Sequence, residues 1–137
     1  MKLTTQLSDE YEELWKSCKI TKNVSWYSRR MFKGEDTYRA IGKKFHNVPW
    51  WVVGCIHGLE CSFNFNQHLH NGDSLKSKTW RVPSGRIPNK NAPYSFEESA
   101  LDALHLNLVE KRKMHLDVFD WNDAGNVFWF FEGYNGW

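Results

Sequence analysis

Apolar positions recur at helical spacing along the N-terminal part of the chain. Near its start, four of them fall at i, i+3, i+4 and i+7 and so share one helix face: Tyr11, Leu14, Trp15 and Cys18. This pattern predicts a helix over about residues 8–18 with Ser8 as its N-cap. Two further helices are predicted over 24–32, which Gly34 ends, and over 35–45.

The next segment, PWWVVGCIHGLECS at residues 49–62, is apolar around almost its whole circumference. Pro49 suits the first turn of a helix, because its missing N–H would have no partner there. A helix that is apolar on all sides belongs in a protein interior. We therefore predict a central buried helix in which His57 and Glu60 stand out as the two acid–base side chains.

The pattern changes after this helix. Asn, Gly, Ser and Pro accumulate, and only two short pieces, 63–69 and 79–82, look extended. Between them, Asn71-Gly72 is a strong signal for a tight turn. The sequence predicts a small β-hairpin here, followed by a long irregular loop over 83–94, and loops of that length are often functional.

Helical signals return in the last third of the chain. The residues SFEE at 95–98 form a capping box, with Ser at the N-cap and Glu at N3, and they open a helix through about residue 110. A last helix is predicted over 126–133. The whole chain, 1–137, is thus predicted to be a single α+β domain that is mainly α. A central buried helix and a small β-hairpin insert would line a cleft.

Composition narrows the function classes. With 41% hydrophobic and 25% charged residues, 137 residues match one globular domain. The net charge of +2 is too small to indicate a nucleic-acid-binding protein. No apolar run approaches the ~20 residues of a membrane span, so stable membrane insertion is not expected. The eight Trp exceed what a small core needs, which suggests that some line a groove.

The number of cysteines and the N-terminal sequence give information on the cellular compartment of the protein. Three cysteines are an odd number, which favours free thiols over a disulfide scaffold. The first residues contain no apolar signal-peptide core. We expect a monomer that is synthesised in the cytoplasm without a signal peptide.

Glu60 is the leading candidate for chemistry. A carboxyl on an apolar helix is costly to ionise, so its pKa rises, and the dipole at a helix C-terminus adds to that effect. A carboxyl that stays protonated near neutral pH is what a general acid requires. The alternative is structural: Glu60 caps the helix into solvent or pairs with His57, one turn back.

Asp73 and Thr79 follow Glu60 on the predicted hairpin. A helix-end carboxyl facing a second carboxylate and a hydroxyl suits glycoside cleavage, in which the acid protonates the glycosidic oxygen and the second carboxylate positions a water. Asp73 on its own would be an ordinary turn residue. Glu132, after an apolar helix, is a rival acidic residue.

The order Glu60, Asp73, Thr79 resembles the pattern of phage-type lysozymes, although the step from Glu to Asp is longer here. The stretch ECSFNF, which starts at Glu60, resembles the Glu-Ser-x-Phe-Asn segment of lytic transglycosylases and goose-type lysozymes, with Cys61 in place of Ser. Over residues 37–137, four segments together resemble a group of bacterial and phage lysozyme-family proteins: IHGLECSFNFNQHLHNGDSL, VPSGRIP, PYSFEESALDAL and FFEGYNGW.

This resemblance implies a lysozyme-like fold and a β-1,4-linked N-acetylated sugar polymer, bacterial cell-wall peptidoglycan, as substrate. The leading hypothesis is a muramidase in which Glu60 is the acid and Asp73, with Thr79, orients the attacking water, giving inversion. A lytic transglycosylase would use Glu60 alone and release an anhydro sugar. A phage endolysin would act on the wall after a holin opens the membrane, and a bacterial enzyme exported by another route fits equally.

Two alternatives belong to other classes. His68 and His70, with Asp73, have the ligand types of a zinc peptidase site. Because His-x-His is common by chance and no His-Glu-x-x-His motif is present, hydrogen bonding that orders the hairpin or contacts sugar hydroxyls is the favoured explanation of the histidines. We predict neither a metal nor another cofactor. The second alternative is a non-catalytic wall-binding module, in which aromatic residues carry the affinity.

The remaining candidates are side chains suited to binding a sugar polymer, by stacking on the rings or by hydrogen bonding to acetamido and hydroxyl groups. These are His68, His70, Asn71, Trp80, Tyr94, Tyr134, Asn135 and Trp137, together with Asn66 and Gln67.

Overall fold

The computed structural model describes residues 3–20, 24–87, 89–111 and 113–135. Within these ranges the chain forms six α-helices: α1 (Thr5–Ser17), α2 (Val24–Lys33), α3 (Glu35–Lys44), α4 (Trp50–Cys61), α5 (Phe96–Leu104) and α6 (Ala124–Asn135). A π-helical segment, His105–Lys111, continues α5, and a short 3₁₀ helix covers Leu116–Val118. The prediction of a mainly α domain is confirmed.

The predicted β-hairpin is not formed as a pair of strands. The described part of the chain contains one isolated antiparallel bridge, between Gln67 and Ser74, and no strand. The Asn71-Gly72 turn does form, with Gly72 at φ +75° and its N–H bonded to the His68 carbonyl. Two backbone bonds cross between the arms next to this bridge, from the His68 N–H to the Asp73 carbonyl oxygen and from the Leu75 N–H to the Asn66 carbonyl oxygen. The pairing then stops, because the Asn66 and Lys76 amides bond to the side chains of Asn64 and Ser74.

Helix α4 lies at the centre of the core, as its all-round apolar sequence predicts. Val52, Val53 and Ile56 have no exposed surface, and α4 packs against α2 and α3. His57 is also fully buried, and its Nδ1 lies 2.8 Å from the Tyr38 hydroxyl. Burial lowers the pKa of His57 to about 4, so the ring is neutral at physiological pH.

A tight connection places α4 against α3. Pro49 is the N-cap of α4 and not a residue of its first turn, so the helix begins one residue later than predicted. The chain folds back so closely that a Cβ at Gly42 would collide with the Val48 carbonyl oxygen. A glycine in α3 is therefore required for the return path, although it costs helix propensity.

The terminal helices α1 and α6 pack together. Thr4, and not the predicted Ser8, caps α1 by accepting a bond from the Leu7 N–H. Ser8 lies one turn inside the helix, where its hydroxyl faces Gly125 at the start of α6. Tyr11 donates to the carboxylate of Glu132, so this rival acidic residue joins the two helices.

Helix α5 begins as predicted. Ser95 and Glu98 form both bonds of the capping box. The helix does not continue regularly to residue 110, since the π-helical segment takes over after Leu104. All three cysteines are free thiols, and none of the helices in the described ranges has the length and apolar content needed to cross a bilayer.

Candidate functional site

Glu60 lies in the last turn of α4 and lines a surface pocket of about 390 Å³. The turn at Gly72 closes tightly over the helix end, since a Cβ there would lie 2.9 Å from the Glu60 carbonyl oxygen. Polar side chains dominate the rest of the lining: Cys61, Ser62, Asn64, Gln67, Asn71, Gly72 and Arg81 complete the pocket. Glu60 is the one carboxylate among them.

Burial raises the pKa of Glu60 above the usual range of a glutamate. Within the described ranges its carboxyl has no hydrogen-bond or ion-pair partner that would favour the charged form. The predicted alternative of a pair with His57 is not formed, because one ring nitrogen faces Tyr38 and the other has no partner. Glu60 is therefore predisposed to hold a proton that it can donate into the pocket.

The charge of Glu60 affects two buried neighbours. Burial raises the pKa of the Cys61 thiol to about 12, and the Glu60 carboxylate adds to that shift. Burial also raises the pKa of Tyr134, and Glu60 is the next largest cause. Both neighbours thus stay neutral, and ionising Glu60 puts a negative charge beside groups that cannot compensate it.

A second, larger depression of about 820 Å³ adjoins the Glu60 pocket, because Asn64 and Gln67 line both. Its other lining residues come from the same irregular segment and from the start of α5: Phe65, Asn66, Ser74, Leu75, Lys76, Pro93, Tyr94, Ser95 and Phe96. The two depressions form an open groove in which amide side chains run from Glu60 towards α5. We refer to them together as the Glu60 groove.

Asp73 does not line this groove. Its side chain is fully buried, and Oδ2 accepts hydrogen bonds from the backbone N–H of Trp80 (2.8 Å) and of Arg81 (2.9 Å). Arg81 Nε lies 3.2 Å from Oδ1, close enough for an ion pair although its N–H does not point at that oxygen. Asp73 therefore fixes the backbone that presents Trp80 and Arg81.

Thr79 is also engaged away from the groove. Its buried hydroxyl donates to the Pro83 carbonyl oxygen (2.6 Å) and accepts from the Arg86 N–H (2.9 Å). The Gly85 N–H bonds to the Thr79 carbonyl oxygen (2.7 Å). These bonds close the loop over residues 79–86, and the structure does not bring Glu60, Asp73 and Thr79 together around one space.

His68 and His70 connect the irregular segment to α5. His68 lies 3.0 Å from Ser99 Oγ and 2.8 Å from the Ser77 carbonyl oxygen. His70 Nε2 lies 2.7 Å from Asp102, whose carboxylate also accepts two bonds of 2.9 Å from Arg86. No group of three or more His, Cys, Asp or Glu side chains in the described part of the chain is arranged to hold a metal ion.

The other predicted binding residues differ in their exposure. Asn71 lines the Glu60 pocket, and its amide donates to the Arg81 carbonyl oxygen (3.2 Å). Trp80 is 70% exposed, with the Arg81 guanidinium 4.8 Å from its ring centroid. Tyr94 and Tyr134 are buried, and their hydroxyls bond to the Lys90 and Leu69 carbonyl oxygens. The side chain of Asn135 and all of Trp137 lie outside the described residues.

Two residues of the site were not anticipated from the sequence. Arg81 reaches the pocket because Asp73 holds its backbone, and nothing in the local pattern indicates this. The role of Asp102 was indicated by one feature of the sequence. Ser99, a polar residue on the buried face of α5, lies one turn before it. A polar residue at a core position predicts a buried hydrogen-bond network, and Asp102 extends that network to Arg86.

No protein-family model, no curated protein and no solved structure matches this chain. The functional argument therefore rests on the groove and on the residues that line it.

We predict that Asp102→Asn lowers the free energy of unfolding by about 2 kcal/mol at pH 7, because hydrogen bonds to a charged group are lost. Burial opposes ionisation of Asp102, but the bonds from His70 and Arg86 outweigh it and lower its pKa to about 2. A depressed pKa stabilises the fold above the unfolded-state value of ~3.9, and this stabilisation disappears as the pH falls through the folded-state value.

Urea denaturation at several pH values measures this difference. The difference in the free energy of unfolding between wild type and Asp102→Asn should become smaller as the pH falls from about 4 to about 2. Asp9→Asn removes an exposed carboxylate of α1 and controls for net charge. A difference in unfolding free energy that stays constant over this pH range would show that Asp102 does not stabilise the fold through its charge.

We also predict that Glu60→Gln stabilises the fold at alkaline pH. A carboxyl whose folded-state pKa is raised supports the fold fully below the unfolded-state pKa of ~4.3, and that support is lost as the pH rises through the folded-state pKa. Because Gln does not ionise, the variant does not lose stability in this way as the pH rises. Thermal unfolding should give Glu60→Gln the higher Tm above the folded-state pKa and equal values in acid. A Tm below wild type at every pH would contradict a desolvated carboxyl, and Glu13→Gln in α1 is the charge-matched control.

Proposed function

We propose that this protein is an enzyme that cleaves the glycosidic bonds of peptidoglycan, with Glu60 as the general acid. The observation that carries the proposal is a carboxyl with a raised pKa and no partner among the described residues, at the end of a buried helix and inside a polar groove. General acids of this kind protonate a leaving-group oxygen near neutral pH. The resemblance of residues 37–137 to lysozyme-family proteins points to the same chemistry.

The lining of the Glu60 groove supports an N-acetylated sugar polymer as the substrate class. Asn64, Gln67 and Asn71 offer amide donors and acceptors, which pair well with acetamido groups. The exposed indole of Trp80, next to Arg81 at the groove, offers a flat apolar surface for a sugar ring. An open groove also suits a polymer better than a closed cavity does, because a chain has to enter and leave at its ends.

A lysozyme-like arrangement is part of this proposal. In that arrangement the acid ends a buried helix, and the segment that follows the helix forms one wall of the cleft. Here α4 would be the helix, and residues 62–95 would be the wall, with turns and side-chain bonds taking the place of a β-sheet. The capped start of α5 would form the part of the groove wall that lies furthest along the chain from Glu60.

The placement of Asp73 favours a mechanism with a single carboxyl group. An inverting glycosidase needs a second carboxylate ~6.5–9.5 Å from the acid with room for water between them. Asp73 is fully buried and bonded to two backbone amides, and it does not line the groove. This favours the lytic transglycosylase route over the hydrolytic, inverting route with Asp73 and Thr79.

In that route Glu60 acts twice. Its proton passes to the glycosidic oxygen as the bond from that oxygen to C1 of N-acetylmuramic acid breaks. The resulting carboxylate then accepts the proton of the C6 hydroxyl of the same sugar, while O6 bonds to C1. The product is an anhydro sugar, no water is consumed, and Glu60 is protonated again for the next cycle.

We predict that Glu60→Gln lowers the rate of peptidoglycan cleavage by about 10²–10⁴-fold, the usual contribution of a general acid. Release of soluble fragments from purified cell walls measures the rate, and circular dichroism checks that the variant is folded. Glu13→Gln should cleave at the wild-type rate. Cleavage by Glu60→Gln at the wild-type rate would remove Glu60 from the mechanism.

We predict that the released disaccharide peptides end in anhydro-N-acetylmuramic acid. Mass spectrometry distinguishes them, because each is one water lighter than the hydrolysed product. Fragments with a free reducing end would show hydrolysis instead. Such fragments, if formed by the wild type and lost in a folded Asp73→Asn variant, would restore Asp73 to the mechanism.

A further inference from the structure

Helix α2 has an unusual combination of sequence and burial. Residues 14–34 contain six basic side chains and no acidic one, in a chain whose net charge is +2. The basic residues are Lys16, Lys19, Lys22, Arg29, Arg30 and Lys33. Helix α2 also carries a marked apolar stripe, yet none of its residues is buried. The rest of the described chain therefore leaves this stripe partly uncovered.

An apolar groove of about 440 Å³ lies between α2 and the C-terminal end of α4. Val24 and Tyr27 of α2 and Leu59 of α4 line it and remain 45%, 50% and 68% exposed. The groove is separate from the Glu60 groove, with which it shares no lining residue. Large apolar side chains gathered in one open groove are typical of a binding surface.

Aromatic side chains border this apolar groove, and a basic side chain stacks on one of them. The rings of Trp26 and Tyr27 meet edge to face at 4.8 Å, and both lie close to Phe63. The guanidinium of Arg30 stacks over Trp26 at 4.2 Å, and Lys33 follows Arg30 at i+3, on the side of the helix that faces away from Val24. We call Val24, Trp26, Tyr27, Leu59, Arg30 and Lys33 the α2 face.

We propose that the α2 face binds the surface of a lipid bilayer that contains anionic lipids. Trp and Tyr favour the boundary between water and lipid, and an amphipathic helix with basic flanks lies in that boundary with its apolar side towards the acyl chains. Arg30 and Lys33 attract anionic headgroups, while Val24, Tyr27 and Leu59 gain from burial below them. The binding is peripheral and needs no membrane-spanning helix.

Charge and apolar character together favour an anionic bilayer over two other partners of the α2 face, a second copy of the chain and a nucleic acid. A second copy of the chain would bring the same excess of positive charge against itself, which opposes pairing through this face. A nucleic acid would satisfy the basic residues but would leave the aliphatic groove without a partner. An anionic bilayer is the one surface of the three that supplies negative charge and an apolar interior together.

Co-sedimentation with vesicles tests the proposal. Wild-type protein should bind vesicles of equal parts phosphatidylglycerol and phosphatidylcholine, and it should not bind phosphatidylcholine alone. Arg30→Gln with Lys33→Gln should weaken binding by about thirtyfold, from about 1 kcal/mol per basic residue near an anionic surface. Leu59→Gln should weaken it by about tenfold through lost apolar burial.

The matched control is Lys43→Gln with Lys44→Gln, which removes two basic residues from the last turn of the neighbouring helix α3. This control should bind anionic vesicles more tightly than the α2 variant does. Equal loss in both double variants, or equal binding of the wild type to both kinds of vesicle, would overturn the proposal. So would a lipid-free dimer that Leu59→Gln converts to a monomer, because it would assign the face to self-association.

Discussion

The burial of α4 is the constraint on which the rest of the structure depends. Its apolar side chains cover nearly the whole circumference of the helix, so other helices have to surround it. His57 is buried in this core as a neutral ring, with its Nδ1 next to the Tyr38 hydroxyl. Glu60 cannot pair inside the core and lies where the helix reaches the surface, which explains both its raised pKa and its access to the groove. The same last turn carries Leu59 to the α2 face, so two different surfaces meet at one helix end.

The segment between α4 and α5 obtains its order from backbone turns and from side-chain hydrogen bonds. Polar backbone groups have to be paired when they are shielded from water, and sheets or helices usually provide the partners. Here Asp73 serves two amides and Thr79 serves an amide and a carbonyl group, while His68 and Ser99 join the segment to α5. Such bonds pair the backbone where a β-ladder is missing, and they connect this side of the groove to α5.

Much of the helical framework could be predicted from the sequence. Apolar spacing located α1 to α4, and the capping box located the start of α5, because these signals act over a few neighbouring residues. The isolation of Glu60 on an apolar helix was likewise visible. The missed features depend on distant partners: Thr4 replaces Ser8 as the cap of α1 since Ser8 faces Gly125. The spacing of Asp73 and Thr79 cannot reveal whether their oxygens face a groove or the backbone.

The way in which Asp73 holds its loop has a consequence for how the groove could diversify. Its Oδ2 binds the main chain at positions 80 and 81, and its Oδ1 lies 3.2 Å from Arg81 Nε. The anchor is therefore independent of the side chain at position 80, but not of the guanidinium at position 81. Relatives or engineered descendants could exchange the indole while the main-chain path stays the same, whereas loss of the guanidinium would leave a buried carboxylate without its cation. Position 80 can therefore be varied to change the surface beside the groove, at little risk to folding.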